Sequence, residues 1–163
     1  MRLFTRTLAA GAVVAATVMA GAATAVADEM PPSNVEDFEY PQADKIFQER
    51  GIKLKSGDGH LMLATCDSEP GLIEIMAQGM KQTDKVGQGR FCFRVTGASG
   101  YLSLEIPRVV GGMGNNDYNV NVSMVTGAEE KSFELDKNRW TPIGKTADGQ
   151  GRDYTLVEIV AKK

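Results

Sequence analysis

The chain has 163 residues, of which 42% are hydrophobic and 24% charged, and its net charge at pH 7 is −3. Metal catalysis needs clusters of histidine, cysteine, aspartate and glutamate, and the single histidine, His60, stands alone beside a predicted turn. The basic residues form no run in the sequence, so nucleic acid and anionic membrane surfaces are not expected as partners.

The first 27 residues have the organisation of a secretory signal peptide. Arg2 and Arg6 form a short basic start, residues 8–26 are almost wholly small and apolar, and Ala25-Val26-Ala27 offers small residues at the cleavage site. A membrane span or a buried helix is the alternative, but the cleavable end favours a signal peptide at residues 1–27. The mature protein is then expected to be extracellular, to lack a membrane span and to carry a net charge of −5, from 16 basic and 21 acidic residues.

The next segment, residues 28–40, is strongly acidic. Its sequence, DEMPPSNVEDFEY, holds five acidic residues and no basic one, whereas residues 41–163 are electrically neutral. Two interpretations are open. The segment is either a solvated disordered leader, or a flexible arm that orders on a partner through its apolar residues Val35, Phe38 and Tyr40.

From residue 41 onwards the sequence predicts one domain built from short strands. Residues 41–50 begin with a proline and are followed by Gly51, as in a short helix. Beyond Gly51 apolar residues alternate with polar ones, and turn residues separate the segments. Strands are predicted at residues 52–55, 61–66, 71–77, 91–97, 101–107, 118–125, 131–135 and 154–160. We therefore expect a mainly β domain at residues 41–163, a single antiparallel β-sandwich with a short N-terminal helix.

The two cysteines, Cys66 and Cys92, fall in or at the end of predicted strands. In an extracellular protein an even pair of cysteines indicates one disulfide, which would stabilise the fold by roughly 3–4 kcal/mol. A metal pair or a catalytic thiol is the alternative, and the single histidine makes both less favoured.

The segment PRVVGG, residues 107–112, resembles the activation site of trypsin-type proteases over six residues. Such an enzyme needs a histidine base and an aspartate beside its serine. The chain's single histidine, His60, precedes the segment, and no Gly-Asp-Ser-Gly-Gly sequence occurs. The segment is instead expected to begin a glycine-rich loop at residues 108–117. An exposed Arg108–Val109 bond in that loop would suit the contact of a protease inhibitor.

No sequence motif indicates an enzyme, a cofactor or a metal site. Oxygen ligands for calcium occur at Asn115, Asn116 and Asp117, and again at Asp148 and Asp153, but neither group has a loop signature, so solvated turn residues are expected. A glycosidase needs only two carboxylates, yet nothing singles out a pair. The one tryptophan, in NRWTPIG, would suit stacking on a sugar or a cap on the core.

Three stretches together carry a resemblance to a known group of proteins: YPQADKIFQERGIKLKSGDGHLMLATC, FCFRVTGASGYLSLEIP, and TPIG with the later TLVEI. They resemble small secreted proteins of Streptomyces-type actinomycetes and, more narrowly, the adaptor subunit of umbrella-shaped antibacterial toxin particles. The resemblance implies a non-catalytic connector. It would join a lectin-bearing, protease-like subunit to the repeat-built ring of a large toxin polypeptide.

The function expected from the sequence is therefore extracellular protein binding without catalysis, as an adaptor in a secreted complex. The expected contacts are the arm residues Val35, Phe38 and Tyr40, and the loop at residues 108–117. A protease inhibitor presenting Arg108 and a carbohydrate-binding module are the alternatives.

Overall fold

The structure is a computed structural model, which describes residues 38–80 and 89–163. It contains one short helix, α1, and one 3₁₀ turn at Gly144–Thr146. The strands are β1 (Phe38–Glu39), β2 (Lys53–Gly57), β3 (Leu61–Ala64), β4 (Ile73–Ala77), β5 (Arg90–Val95), β6 (Ser99–Ile106), β7 (Val109–Met113), β8 (Asn119–Thr126), β9 (Glu129–Leu135), β10 (Trp140–Pro142) and β11 (Thr155–Lys162). The predicted signal peptide and the arm up to residue 37 lie outside the described residues.

The strands form two antiparallel sheets. One has six strands in the order β1-β2-β6-β11-β8-β9, and the other has five in the order β10-β7-β4-β5-β3. A disulfide joins Cys66 to Cys92. The predicted mainly β sandwich, with one disulfide and one short helix, is confirmed.

The core lies between the two sheets and follows from the alternation in the sequence. In β6 the side chains of Leu102, Leu104 and Ile106 are fully buried. In β5, which belongs to the other sheet, the side chains of Phe91 and Phe93 face the same core. The residues between them face outwards because successive side chains of a strand point to opposite faces. Burial of each such side chain stabilises the fold by about 1.5–3 kcal/mol.

Helix α1 spans Ala43–Arg50 and ends at Gly51, whose N–H donates to the carbonyl of Phe47 at 2.9 Å. Gly51 has φ 70°, a left-handed conformation that glycine adopts without cost. The helix lies on the surface, since none of its residues is fully buried. Among the described residues, no helix has the length and apolar character that crossing a membrane requires.

One predicted loop is wrong. Residues 109–113 form β7, inside the five-stranded sheet between β4 and β10. Because Gly111 and Gly112 have no side chains, the sequence of this strand shows no alternation of apolar and polar residues. Side chains from other strands fill the space on either face of the two glycines. The indole of Trp140 covers Gly111, and Leu135 and Ile75 close over Gly112.

Candidate binding surfaces

The three residues expected to anchor the acidic arm have different environments. Val35 lies outside the described residues. Phe38 is exposed, with 61% of its surface accessible, and lies in β1, where it pairs with Gly57 of β2. Tyr40 is only 8% exposed and belongs to the core. The expectation that Tyr40 is a free anchor is therefore wrong.

Tyr40 instead fastens the start of the domain to both sheets. Its backbone N–H donates to the carbonyl of Lys55 in β2 at 2.9 Å. Its hydroxyl accepts a hydrogen bond from the N–H of Leu63 in β3 at 2.7 Å. Burial raises the pKa of the Tyr40 hydroxyl, against a smaller lowering by the Leu63 bond. The acidic segment thus meets the sandwich at residue 38, and residues 38–40 belong to the folded domain.

Arg108 is exposed, but hydrogen bonds within the fold hold its side chain. Its guanidinium donates from Nε to the carbonyl of Gln78 at 2.9 Å and from Nη2 to that of Gly79 at 2.6 Å. The next residue, Val109, is fully buried as the first residue of β7. A protease would have to unfold the start of β7 to reach the Arg108–Val109 bond. Residues 109–113 therefore present no exposed loop, and protease inhibition through Arg108 stays a prediction.

A pair of substitutions at Arg108 separates its side-chain bonds from its backbone strain. Arg108 has φ 55°, which costs a residue other than glycine about 1–2 kcal/mol. Arg108→Ala loses the two hydrogen bonds and keeps the strain, so we expect a loss of about 1 kcal/mol in the free energy of unfolding. Arg108→Gly loses the same bonds but relieves the strain. It should be more stable than the alanine variant by about 1 kcal/mol in urea unfolding, and equal stability of the two would contradict this account.

The other expected contacts near this segment divide into one structural and two exposed residues. Asn115 is only 2% exposed, donates from Nδ2 to the carbonyl of Gly71 at 2.8 Å, and accepts from the N–H of Tyr118 at 3.1 Å. It holds the turn before β8 and is not available to a partner, so this expectation is wrong. Asn116 and Asp117 are exposed.

Asp148 and Asp153, two of the carboxylates considered as calcium ligands, form ion pairs. Asp148 accepts from Arg152 Nη2 at 2.8 Å and from the backbone N–H of Arg152 at 2.9 Å, and Lys131 Nζ lies 3.7 Å away. Asp153 pairs with Lys145 at 3.1 Å. No group of three potential metal-binding side chains occurs within residues 38–80 and 89–163.

The Asp148 ion pairs give a testable acid dependence. Hydrogen bonds from the side chain and then the backbone of Arg152 hold the pKa of Asp148 well below its ordinary value of 3.8. Their contribution is complete above that value and is lost as the pH falls below it. We expect Asp148→Asn to lose less stability than the wild type between about pH 4 and pH 2 in urea unfolding. Arg152→Gln removes the side-chain bonds but keeps the backbone one, so its profile should be flattened in part. A wild-type slope in both variants would contradict the assignment.

An exposed apolar stripe crosses the outer face of the five-stranded sheet. Trp140 is 41% exposed and pairs with Met113 of β7, and Met76 of β4 lies on the same face at 37% exposure. The indole covers Gly111 at the position that a Cβ would take. The sequence singles out the tryptophan, but strand order alone brings Met76 and Met113 beside it.

The outermost strand, β9, provides a second candidate surface, which the alternation of apolar and polar residues in the sequence does not indicate. It lies at one edge of the six-stranded sheet, and β1, which carries Phe38, lies at the other. Four strands separate them, so their axes are roughly 24 Å apart at the usual spacing of strands. Glu130, Ser132 and Glu134 of β9 are exposed.

No protein-family model matches the chain. No curated protein matches its sequence either.

Proposed function

We propose that the mature protein is a secreted, non-catalytic binding module that connects other secreted proteins, as an adaptor does in an extracellular antibacterial toxin complex. The partners in this proposal are a lectin-bearing, protease-like subunit and a large repeat-containing toxin polypeptide. The observation that carries it is the attachment of the acidic segment. That segment enters the fold through β1, at one outer edge of the six-stranded sheet.

The contacts of Tyr40 support this proposal because they fix the position from which the segment leaves the sandwich. Bonds to Lys55 and Leu63 hold residue 40, and Phe38 is exposed two residues earlier. A partner that binds residues 28–37 would therefore meet Phe38 at a fixed place on the domain. Ordering a short tethered segment costs less than ordering a long one, which favours binding through such an arm.

The test is a pull-down from the culture supernatant of the producing organism, with mature protein beside a variant that lacks residues 28–37. The deletion stops before Phe38 so that β1 and Tyr40 remain in the fold. We expect stoichiometric recovery of large secreted subunits with the mature protein and its loss with the deletion. Phe38→Ser is the matched point variant and should weaken recovery. Equal recovery by all three proteins would contradict the proposed arm.

Carbohydrate binding is a second candidate, favoured by the half-exposed indole of Trp140. An aromatic ring fixed on one side and open on the other suits stacking against a sugar ring. The proposal predicts retention on an insoluble polysaccharide and its loss in Trp140→Ala. Met76→Ala, on the same face but without a ring, should keep retention. No retention of the wild type on any polysaccharide would reject this candidate.

A further inference from the structure

The free edge of β9 offers backbone groups to another strand. A two-residue turn at Gly127 and Ala128 joins β8 to β9, and Thr126 pairs with Glu129 across it. In an antiparallel pair, hydrogen-bonded and non-bonded positions alternate, and the pair that flanks a two-residue turn is bonded. Residues 129, 131, 133 and 135 thus bond to β8. The N–H and C=O groups of residues 130, 132 and 134 point away from it.

The other sheet edges in the described part of the chain are short or covered. β1 has two residues, and β10 has three, of which Pro142 lacks an N–H. On β3 the Leu63 N–H is already taken by the Tyr40 hydroxyl. On β9 itself coverage begins only after Leu135, where the carbonyl of Asp136 accepts from the N–H of Gly114 at 3.0 Å. Among the described sheet edges, residues 130–134 of β9 are therefore the longest stretch whose outward backbone groups are not covered.

The side chains beside this stretch select the kind of strand that can pair there. Glu130 and Glu134 are exposed on the outer face, whereas Lys131, on the other face, lies 3.1 Å from Glu129. Phe133, also on the inner face, is half-buried and packs against the core. An incoming strand therefore meets negative charge on its outer side, and on its inner side the ring of Phe133 and the ion pair of Lys131 with Glu129.

We propose that β9 binds an extended segment of a partner protein in which basic side chains alternate with apolar ones, adding it as a seventh strand of the sheet. Backbone hydrogen bonds to residues 130, 132 and 134 supply the affinity, and opposite charges across the new strand pair supply the selectivity. This inference rests on the proposed function as a binding module and names the chemistry of one partner.

Charge also argues against two other occupants of this edge. In a symmetric antiparallel pair of two copies centred on Ser132, Glu130 of one copy would face Glu134 of the other, and like charges directly opposite each other are destabilising. The protein's own segment at residues 28–37 carries four acidic residues and no basic one. Neither complements the acidic edge as a basic strand does.

The test uses a synthetic peptide of seven residues that alternates lysine and valine, with blocked ends, and a control peptide with glutamate in place of each lysine. NMR titration of the labelled mature protein should show binding of the lysine peptide only. The largest shifts are expected at the amides of residues 130, 132 and 134. Binding of both peptides alike, or shifts centred elsewhere, would overturn the proposal.

Two variants at Ser132 isolate the outward N–H of the edge. Ser132→Pro removes a donor that the fold does not use, because proline is tolerated where the N–H of an edge strand faces solvent. It should weaken the lysine peptide about ten-fold, as expected for the loss of one hydrogen bond. Ser132→Ala keeps the N–H and should bind as the wild type does. Equal binding by the two variants would overturn the proposal.

Charge reversal, Glu130→Lys with Glu134→Lys, provides an independent readout, since it should switch the preference to the glutamate peptide. The peptide assay also separates this inference from the proposed function. If the mature protein recovers its subunits but Ser132→Pro recovers them equally and peptide binding is absent, the adaptor role stands and the edge assignment fails. If peptide binding follows the expected pattern and no subunits are recovered, the edge assignment stands and the adaptor role fails.

Discussion

Replacing both Cys66 and Cys92 by alanine is expected to lower the free energy of unfolding by about 3–4 kcal/mol. The bond links residues 26 apart in sequence, so its loss gives the unfolded chain much more conformational freedom. In the fold it ties Cys92 in β5 to the turn after β3, beside Leu72 and Ala64 on the outer face of the five-stranded sheet. Alanine is preferred to serine because Cys92 is fully buried, and a hydroxyl there would need a partner. Urea unfolding measures the difference.

The wild type in a reductant is the matched control, because it breaks the bond without changing a side chain's carbon atoms. Its midpoint should fall together with that of the double variant, by roughly 10 °C in thermal unfolding. Each single variant should equal the double one, since either removes the whole bond. A loss below about 1 kcal/mol in all of these would mean that the unfolded chain gains little conformational freedom when the bond is broken, contrary to the loop-closure argument.

The parts of the fold that the sequence predicts well are those in which one face of a strand is buried. In β6 the alternation from Leu102 to Ile106 specifies which side faces the core, and in β5 the same holds for Phe91 and Phe93. Cys92 falls between those two residues and so points to the outer face, where it meets Cys66. A local period of two contains this information without knowledge of the partner strands.

The parts that sequence reasoning predicts incorrectly depend on residues far away in the chain. β7 was expected to be a loop because Gly111 and Gly112 suggest turns, but Trp140 and Leu135 supply the side chains that the glycines lack. Tyr40 was assigned to the acidic segment that precedes it. Its burial depends on the open edge of β3, which local composition does not describe.

Candidate surfaces are harder to predict still, because exposure of an edge is a property of strand order. The sequence of β9 predicts a strand, and nothing in it says that β9 is outermost in its sheet. Strand order also decides the surroundings of Met76 in β4. It lies near Trp140 only because β7 is placed between β4 and β10. For β9 and β4 the sequence therefore predicts the strand itself, and topology decides whether a partner can reach it.

Tyr40→Ala is the second substitution with a large expected effect, a loss of about 3–4 kcal/mol in the free energy of unfolding. It removes a buried ring from the contact between β2 and β3 and leaves the N–H of Leu63 without its acceptor. Because Tyr40 also sets the position of β1, hydrogen exchange at the amide of Phe38, which faces β2, should rise towards that of an unpaired segment. Urea unfolding and hydrogen exchange measure the two effects.

Tyr40→Phe separates the ring from the hydroxyl. It keeps the packing and should cost only about 1 kcal/mol, with faster exchange confined to the Leu63 amide.

The raised pKa of Tyr40 also predicts a dependence of stability on alkaline pH, because folding opposes ionisation of the hydroxyl. Stability from this group is complete below its ordinary pKa of 10.0 and is lost as the pH rises above it, so the phenylalanine variant should lose less stability there than the wild type. If the alanine variant proved no less stable than the phenylalanine one, Tyr40 would not be the residue that fastens the acidic segment to the sandwich, and the fixed geometry on which the arm proposal depends would fail with it.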